Sequence, residues 1–507
     1  MVFTSFAFAK FLAVVLIGLW LMPTRALRQM LILVASAFFY AYWKPAYLLL
    51  LMTPSLIDYV CSIRIERSDS ARVRRGWLLF SLITNLGLLA YFKYTNFLLD
   101  NVGALLGWQV PHLDILLPVG ISFYTFKTLS YTIDVYRREI PACRSLWQYA
   151  MFVTYFPELV AGPIVRASVF LPQMTRSLRP SLARAMVGSQ VALLGVTKKL
   201  LIADRLALIV DPVFANPAYF SPFTVSSAVV AYSLQIYCDF SGYSDIAIGV
   251  SKIIGFDLPE NFNMPYIATS LTDFWRRWHM TLSGWLRDYL YIPLGGNRYG
   301  RWKTYRNLML TMLLGGLWHG ASWNFVFWGF LHGTGLAVNH WWTRDRGSTG
   351  GRKAVVPQGK VVLLVKWATT YVFVCLAWVF FRSRNFSTSL LIVRKLFWLD
   401  TSGANFFYSP LFMLVPVVVI GHILGVIAQR QFYAPSSSLR RCPPPAWAIR
   451  AYAGNGGRFG LKPSRVAGVY VLLPIPGFWG GFLLTVWLLV VFLFSSLKAT
   501  PFIYFQF

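Results

Sequence analysis

The chain has 507 residues, 57% of them hydrophobic and only 13% charged, with a mean hydropathy of +0.55. A soluble chain carries about 25% charged residues, so the composition excludes an ordinary soluble domain. Lys and Arg number 47 against 18 Asp and Glu, a net charge of +29, but they crowd into short loops between apolar runs. That pattern points to membrane topology and anionic lipid, and not to a nucleic-acid partner.

Apolar runs near the roughly 20 residues that cross a bilayer recur along the chain. They occupy 5–22, 29–52, 76–92, 224–238, 305–318, 323–341, 361–381, 408–428 and 471–495, with less regular ones near 113–135, 146–165 and 186–212. They predict an all-α polytopic membrane protein, one integral-membrane unit over 1–507 with about 11 or more transmembrane helices. A transmembrane barrel would instead alternate in segments of about ten residues. The first 22 residues contain Lys10 but no small-residue cleavage site, so they read as a retained first helix. "RIERSDSARVRR" (64–75), "RREIPACR" (137–144), "GGNRYGRWKTYR" (295–306) and the 429–466 region follow the positive-inside pattern. Cys61, Cys143, Cys238, Cys375 and Cys442 are odd in number and contain no CxxC, which predicts no disulfide framework.

Residues 113–340 differ from the ends and are expected to form the working core. "PVGISFYTFKTLSYTIDVYR" (118–137), "YFPELVAGPIVR" (155–166) and "QIYCDFSGYSDIAIG" (235–249) mix Gly, Pro and polar residues into apolar spans. Such backbone is tolerated at membrane depth only beside protein or a wet cavity. In the third segment Gly242 is expected to break the helix. Asp239, Ser241, Tyr243 and Asp245 then read either as a proton path or as hydrogen-bonding partners for that break.

Next comes "LTDFWRRWHMTLSGWLRDYLYIPLGG" (271–296). At 100° per residue, Trp275, Trp278, Leu282, Trp285, Leu286 and Tyr289 share one stripe of a predicted amphipathic helix. Arg276, Arg277, Thr281, Ser283, Arg287 and Asp288 lie opposite, and His279 sits at the seam. The tryptophans are expected to anchor the helix at a membrane–water boundary. Arg276 and Arg277 suit lipid or donor phosphates equally.

"WHGASWNFVFWGFLHG" (318–333) sets His319 and His332 among aromatics and glycines. No histidine pair has a spacing that lets two imidazoles share one ion, so no metal is expected. GxSxG, Walker and GxGxxG motifs are absent as well. An ionisable residue inside a span is a functional candidate. Burial disfavours the imidazolium, leaving a neutral ring able to take a proton from a hydroxyl. His319 therefore reads as a general base, a proton relay or a packing residue. His112, His340 and His422 read as hydrogen-bonded packing residues. The segments 342–360 and 429–468 are basic, rich in Gly or Pro, and expected to be cytoplasmic loops. No repeat relates the two halves, which argues against a proton-coupled transporter, as does a lack of charged pairs along a pathway.

"DFWRRWHMTLSGWLRDYLYIPLGGNR" (273–298) followed by "GGLWHGASWNFVFWGFLHG" (315–333) resembles the membrane-bound O-acyltransferase (MBOAT) family, and within it the bacterial branch concerned with alginate O-acetylation. "PVGISFYTFKTLSYTIDVYR", "YFPELVAGPI", "QIYCDFSGYSDIAIG", "GFDLPENFNMPY" and "PFIYFQF" resemble that branch in the same order. The resemblance implies transmembrane, re-entrant and amphipathic helices around a central tunnel in the bacterial inner membrane, crossed many times. It implies His319 as the catalytic histidine and His279 as a second one. Trp318, Asn324 and His332 match the same signature, and Asp239, Tyr243, Trp275, Arg276, Arg277 and Ser283 are expected along the passage. An acyl thioester, acetyl-CoA, would be the donor, with no permanently bound cofactor. The acceptor would be an exported polysaccharide or a periplasmic hydrolase-like acetyltransferase, with peptidoglycan O-acetylation and teichoic-acid D-alanylation as alternatives.

Overall fold

Hydroxyl caps start the first two helices. Ser5 Oγ accepts from the Phe8 amide at 3.2 Å to open α1 (Phe6–Leu21), and Thr24 Oγ1 accepts from Leu27 at 3.3 Å to open α2 (Arg25–Ala41). Pro45 then precedes α3 (Ala46–Arg67), so the run expected over 29–52 is two helices with a turn between them. Proline suits a helix start because the amide it lacks would have no partner there. The computed structural model describes residues 1–160, 162–175, 178, 181–344, 359–433, 478–495 and 502.

α4 (Ala71–Leu89) runs through a π turn, Ala90–Tyr94, into α5 (Thr95–Leu106). The chain continues as α6 (Ile121–Tyr136), α7 (Leu146–Thr154), α8 (Ala167–Phe170), α9 (Leu182–Thr197), a second π turn (Lys198–Ala203) and α10 (Asp204–Ala215). Then come α11 (Pro222–Ile254), α12 (Leu271–Trp275), α13 (Met280–Leu286), α14 (Arg301–His319) and α15 (Trp323–Arg344). α16 (Lys360–Arg382), α17 (Phe386–Leu396), α18 (Ser409–Tyr433) and α19 (Phe478–Phe494) complete the described helices. Among the described residues the extended pairing is one bridge between Phe220 and Ala404.

Four described stretches are long and apolar enough to cross a membrane: Ala46–Arg67, Ala71–Leu106, Lys360–Arg382 and Ser409–Ile427. That is fewer than the expected eleven. The interior helices fall short because they carry polar side chains that other helices cover. α11, 33 residues long, buries Gln235, Asp239, Ser241 and Ser244. α1 and Trp479–Phe494 are apolar but shorter.

Two close helix crossings position the centre. α9 and α11 meet through glycines: a methyl on Gly242 would strike the Gly195 carbonyl, and one on Gly249 the Gly188 carbonyl. Small residues let helix backbones approach this closely. Gly242 therefore does not interrupt α11, as expected from the sequence, but serves as a contact surface within one continuous helix. α14 and α15 form a hairpin in the same way. Gly316 packs on the Phe325 carbonyl and Gly329 on that of Met312, and the tip of the hairpin lies at Gly320–Ser322.

The single amphipathic helix expected over 271–296 is not formed. α12 ends at Trp275, and the chain turns through His279, at φ 42° and ψ 54°, before α13 and a π turn (Arg287–Tyr291). Trp278 and Trp285 are buried and do not anchor an interface. Trp285 stacks on Phe126 at 3.7 Å between centroids and donates its indole N–H to the Phe126 carbonyl at 2.9 Å. A ring whose polar edge finds a carbonyl partner inside the protein can leave the boundary.

Most of the two basic segments, together with Cys442, lies outside the described residues; residues 342–344 end α15 and 429–433 end α18. The other four cysteines are free thiols.

Candidate active site

His319 is the last residue of α14, so it sits where a helix leaves its final carbonyls without intrahelical partners. The π turn in the α4–α5 helix supplies them. Lys93 Nζ donates to the carbonyls of Trp318 and, at 3.1 Å, His319, and it lies 3.4 Å from Ser122 Oγ. Tyr94 donates its hydroxyl to the Leu317 carbonyl at 2.7 Å. A cation at a helix C-terminus also meets the negative end of the helix dipole. Sequence reading missed Lys93, although a lysine among "YFKY" was a signal: the apolar run predicted over 76–92 stops one residue before it. π turns recur at functional sites.

Three imidazoles converge here. The His319 ring is 5.0 Å from that of Trp318 and 5.1 Å from Trp328 and from Phe381, all three edge-on. Trp318 lies 6.3 Å from the His279 ring, and Trp328 lies 4.8 Å from His332. The order is therefore His279, Trp318, His319, Trp328, His332, with two indoles between three imidazoles. His279 and His332 are fully buried, and His319 is 6% exposed. Trp318 continues the stack on Phe126 at 5.1 Å, and Phe126 continues it to Trp285.

Each outer histidine has a fixed partner. The His279 Nδ1 is 3.0 Å from Asn261 Oδ1, and His332 Nδ1 accepts from the Trp275 indole N–H at 3.2 Å. Asn261 lies in "GFDLPENFNMPY", and nothing in that sequence context signals that it meets a histidine 18 residues on.

The remaining predicted residues divide. Asn324 donates to the Ser383 carbonyl at 2.8 Å and ties the start of α15 to the end of α16. Arg277 bonds Asp273 at 2.9 Å, Ser283 bonds the Trp278 carbonyl at 3.3 Å, and Arg276 is exposed. Asp239 belongs to a buried ion cluster, with Lys199 2.5 Å from it and 2.9 Å from Asp204. Tyr243 packs on Phe502 at 4.3 Å beside that cluster. Asp245 pairs with Lys198 at 2.6 Å. Lys127 and Glu158 form a further buried pair, with Lys127 4.5 Å above the Phe152 ring. Charged pairs therefore occur inside the protein. Lys198 and Lys199 meet carboxylates on α11, Lys199 also that of Asp204 at the start of α10, and Lys127 meets Glu158 in the turn after α7.

Neither of two cavities touches His319. A small one, about 10 Å³, is lined by Lys127, Glu158 and Ile164 among others, and an open one of about 550 Å³ lies between the start of α11 and the loop around Trp398 and Asn405. The rings of Trp318, Trp328 and Phe381 crowd the His319 imidazole.

Residues 10–378 match the model of "MBOAT, membrane-bound O-acyltransferase family". A Pseudomonas aeruginosa protein, "Probable alginate O-acetylase AlgI", is 37% identical over the full length of both chains. A protein of the same name from Azotobacter vinelandii is 40% identical over 86% of each. "Peptidoglycan O-acetyltransferase" of Helicobacter pylori is 38% identical over 72% of each. The family match covers most of the chain and reaches both the helix that ends on His319 and the turn that holds His279, and so this chain is an O-acyltransferase belonging to the membrane-bound O-acyltransferase family.

Proposed function

We propose that this chain is a multi-pass protein of a bacterial inner membrane that transfers an acetyl group from acetyl-CoA in the cytosol toward an exported polysaccharide or a periplasmic partner acetyltransferase. The observation that carries the proposal is the row of three buried imidazoles centred on His319, at the end of a helix whose final carbonyls are held by an intramembrane lysine. The helices beyond the four apolar spans would cross the membrane or re-enter it against these. Polysaccharide acceptors are favoured by the names of the Pseudomonas and Azotobacter relatives. Peptidoglycan is the second reading, favoured by the Helicobacter relative.

In the proposed reaction a neutral His319 takes the proton of an acceptor hydroxyl as that oxygen attacks the thioester carbonyl. The tetrahedral intermediate then expels the thiolate of CoA, which recovers the proton from the imidazolium. The new C–O bond replaces the C–S bond, and no oxidant or metal is needed. Indole and phenyl rings around His319 exclude water that would hydrolyse the donor. They must also part to admit it, so the enclosed arrangement is the resting one.

General-base assistance is worth about 10²–10⁴-fold. Purified protein, given labelled acetyl-CoA with alginate or peptidoglycan fragments and its partner, should release CoA and label one polymer. His319→Ala should lose that factor at unchanged expression. Transfer at the wild-type rate in this variant would remove His319 from the reaction.

A further inference from the structure

The polar groups around His279 fix which of its two nitrogens carries hydrogen. The chain of bonds begins at a group whose direction is not negotiable: the Ile164 backbone N–H donates to Thr281 Oγ1 at 3.0 Å. Thr281 therefore spends its own hydrogen on Asn261 Oδ1, 2.8 Å away, and the Thr281 backbone N–H approaches the same oxygen at 3.4 Å. The other end of the amide, Nδ2, donates to Ser244 Oγ at 3.2 Å. A flipped amide would set N–H groups against N–H. Oδ1 is thus an acceptor, and the His279 Nδ1 facing it must be the donor. In a neutral imidazole Nε2 is then a bare lone pair. That atom is buried with no hydrogen-bond partner among the described residues.

The backbone is pinned by the same loop. Met280 N–H donates to the Asn261 carbonyl at 2.9 Å, and Asn263 N–H to the Arg277 carbonyl at 2.8 Å. Between these bonds His279 is held in the left-handed region, which a residue with a Cβ occupies only when its surroundings impose it. Three distant segments, at 164, 261–263 and 277–281, therefore act together on one ring.

We propose that Asn261 is a positioning residue that locks His279 as the Nδ1–H tautomer, making Nε2 a permanent hydrogen-bond acceptor. What docks there must donate. This rests on the acyl-transfer reading, in which one hydroxyl of the acceptor donates to His279 and so orients a second, reacting hydroxyl whose proton goes to His319.

Nitrogen-15 NMR of protein labelled at its six histidines reads the tautomer without any assay of activity. His279→Gln identifies the signal. At neutral pH the Nε2 resonance of His279 should lie in the unprotonated range. A protonated Nε2 in the wild-type protein overturns the proposal. Asn261→Leu removes the acceptor at similar volume, and kcat should fall at least about tenfold, since a wrongly held tautomer disables a catalytic imidazole. Asn261→Asp keeps an oxygen toward Nδ1 and should restore most of the loss, which a purely packing role would not predict. If Asn261→Leu does not fold, Thr281→Val removes only the hydroxyl that orients the amide, and a second His279 tautomer should then appear. An unchanged His279 signal in Thr281→Val and unchanged kcat in Asn261→Leu each count against the proposal. Should His319→Ala keep its transfer activity, the acyl-transfer role of His319 fails, while the tautomer measurement still stands or falls by itself.

Discussion

The outer histidines of the row present opposite chemistry from similar surroundings. The indole N–H of Trp275 can only donate, so His332 receives it on Nδ1 and keeps its own hydrogen on Nε2, which has no partner among the described residues. His279 faces an acceptor and leaves Nε2 bare. Trp275→Phe preserves the aromatic body but removes that N–H. The variant should lose about 0.5–1.5 kcal/mol, the net worth of one ordinary hydrogen bond. Its melting temperature in detergent checks this, and a shift of the His332 nitrogen signals should accompany the loss. At this scale the sequence exposed His319, His279 and His332, because histidines stand out in an apolar run. It did not expose Asn261 or Lys93 as partners, since each reaches its histidine from another segment.

Two elements hold His319 in place, the hairpin and the π turn. Gly316 admits the Phe325 carbonyl where any side chain would collide, so Gly316→Ala should force α14 and α15 apart. Overpacking of this kind costs about 1–3 kcal/mol. Thermal unfolding would register it, together with loss of transfer activity as the hairpin tip shifts. Lys93→Met keeps the length of the side chain but leaves carbonyls at the end of α14 unbonded. Hydrogen bonds to a charged group are worth about 1.5–3 kcal/mol, so stability should fall by about that amount. Lys93→Arg should recover part of it; equal stability of wild type and Lys93→Met would refute the capping role. Helix boundaries over α14, α15 and α16 followed the apolar runs closely, because their exposed faces carry the hydropathy signal. The break at His279 did not, because periodicity alone cannot register a left-handed residue imposed by a neighbouring loop.

Across the whole molecule, buried ion pairs take the place of a uniformly apolar interior. Breaking such a pair by removing one partner costs about 3–5 kcal/mol, whereas replacing both with apolar residues is often neutral. Lys127→Met should therefore unfold well below the wild type, and Lys127→Met combined with Glu158→Leu should return most of the loss. A double variant no better than the single one would show that the pair matters for something other than charge compensation. The same pairs explain why only four of the described stretches meet the length and hydropathy of a membrane span. Helices such as α11 spend their polar residues inward, on Lys198 and Lys199, while exposed Leu and Phe on α1, α18 and α19 face outward.

Composition and apolar periodicity by themselves determined that the chain is a helical membrane protein, because burying backbone in lipid leaves few alternatives to the helix. The ordered motifs indicated its family and drew attention to His279 and His319. Only the tertiary structure decided that those histidines share a site with His332 and Lys93, and that Asp239 and Tyr243 belong to a separate ion cluster. The reason is that both outcomes depend on contacts between residues far apart in the chain: 226 positions for Lys93 and His319. Local pattern carries no record of which distant carbonyl, amide or ring will come to lie beside a given side chain.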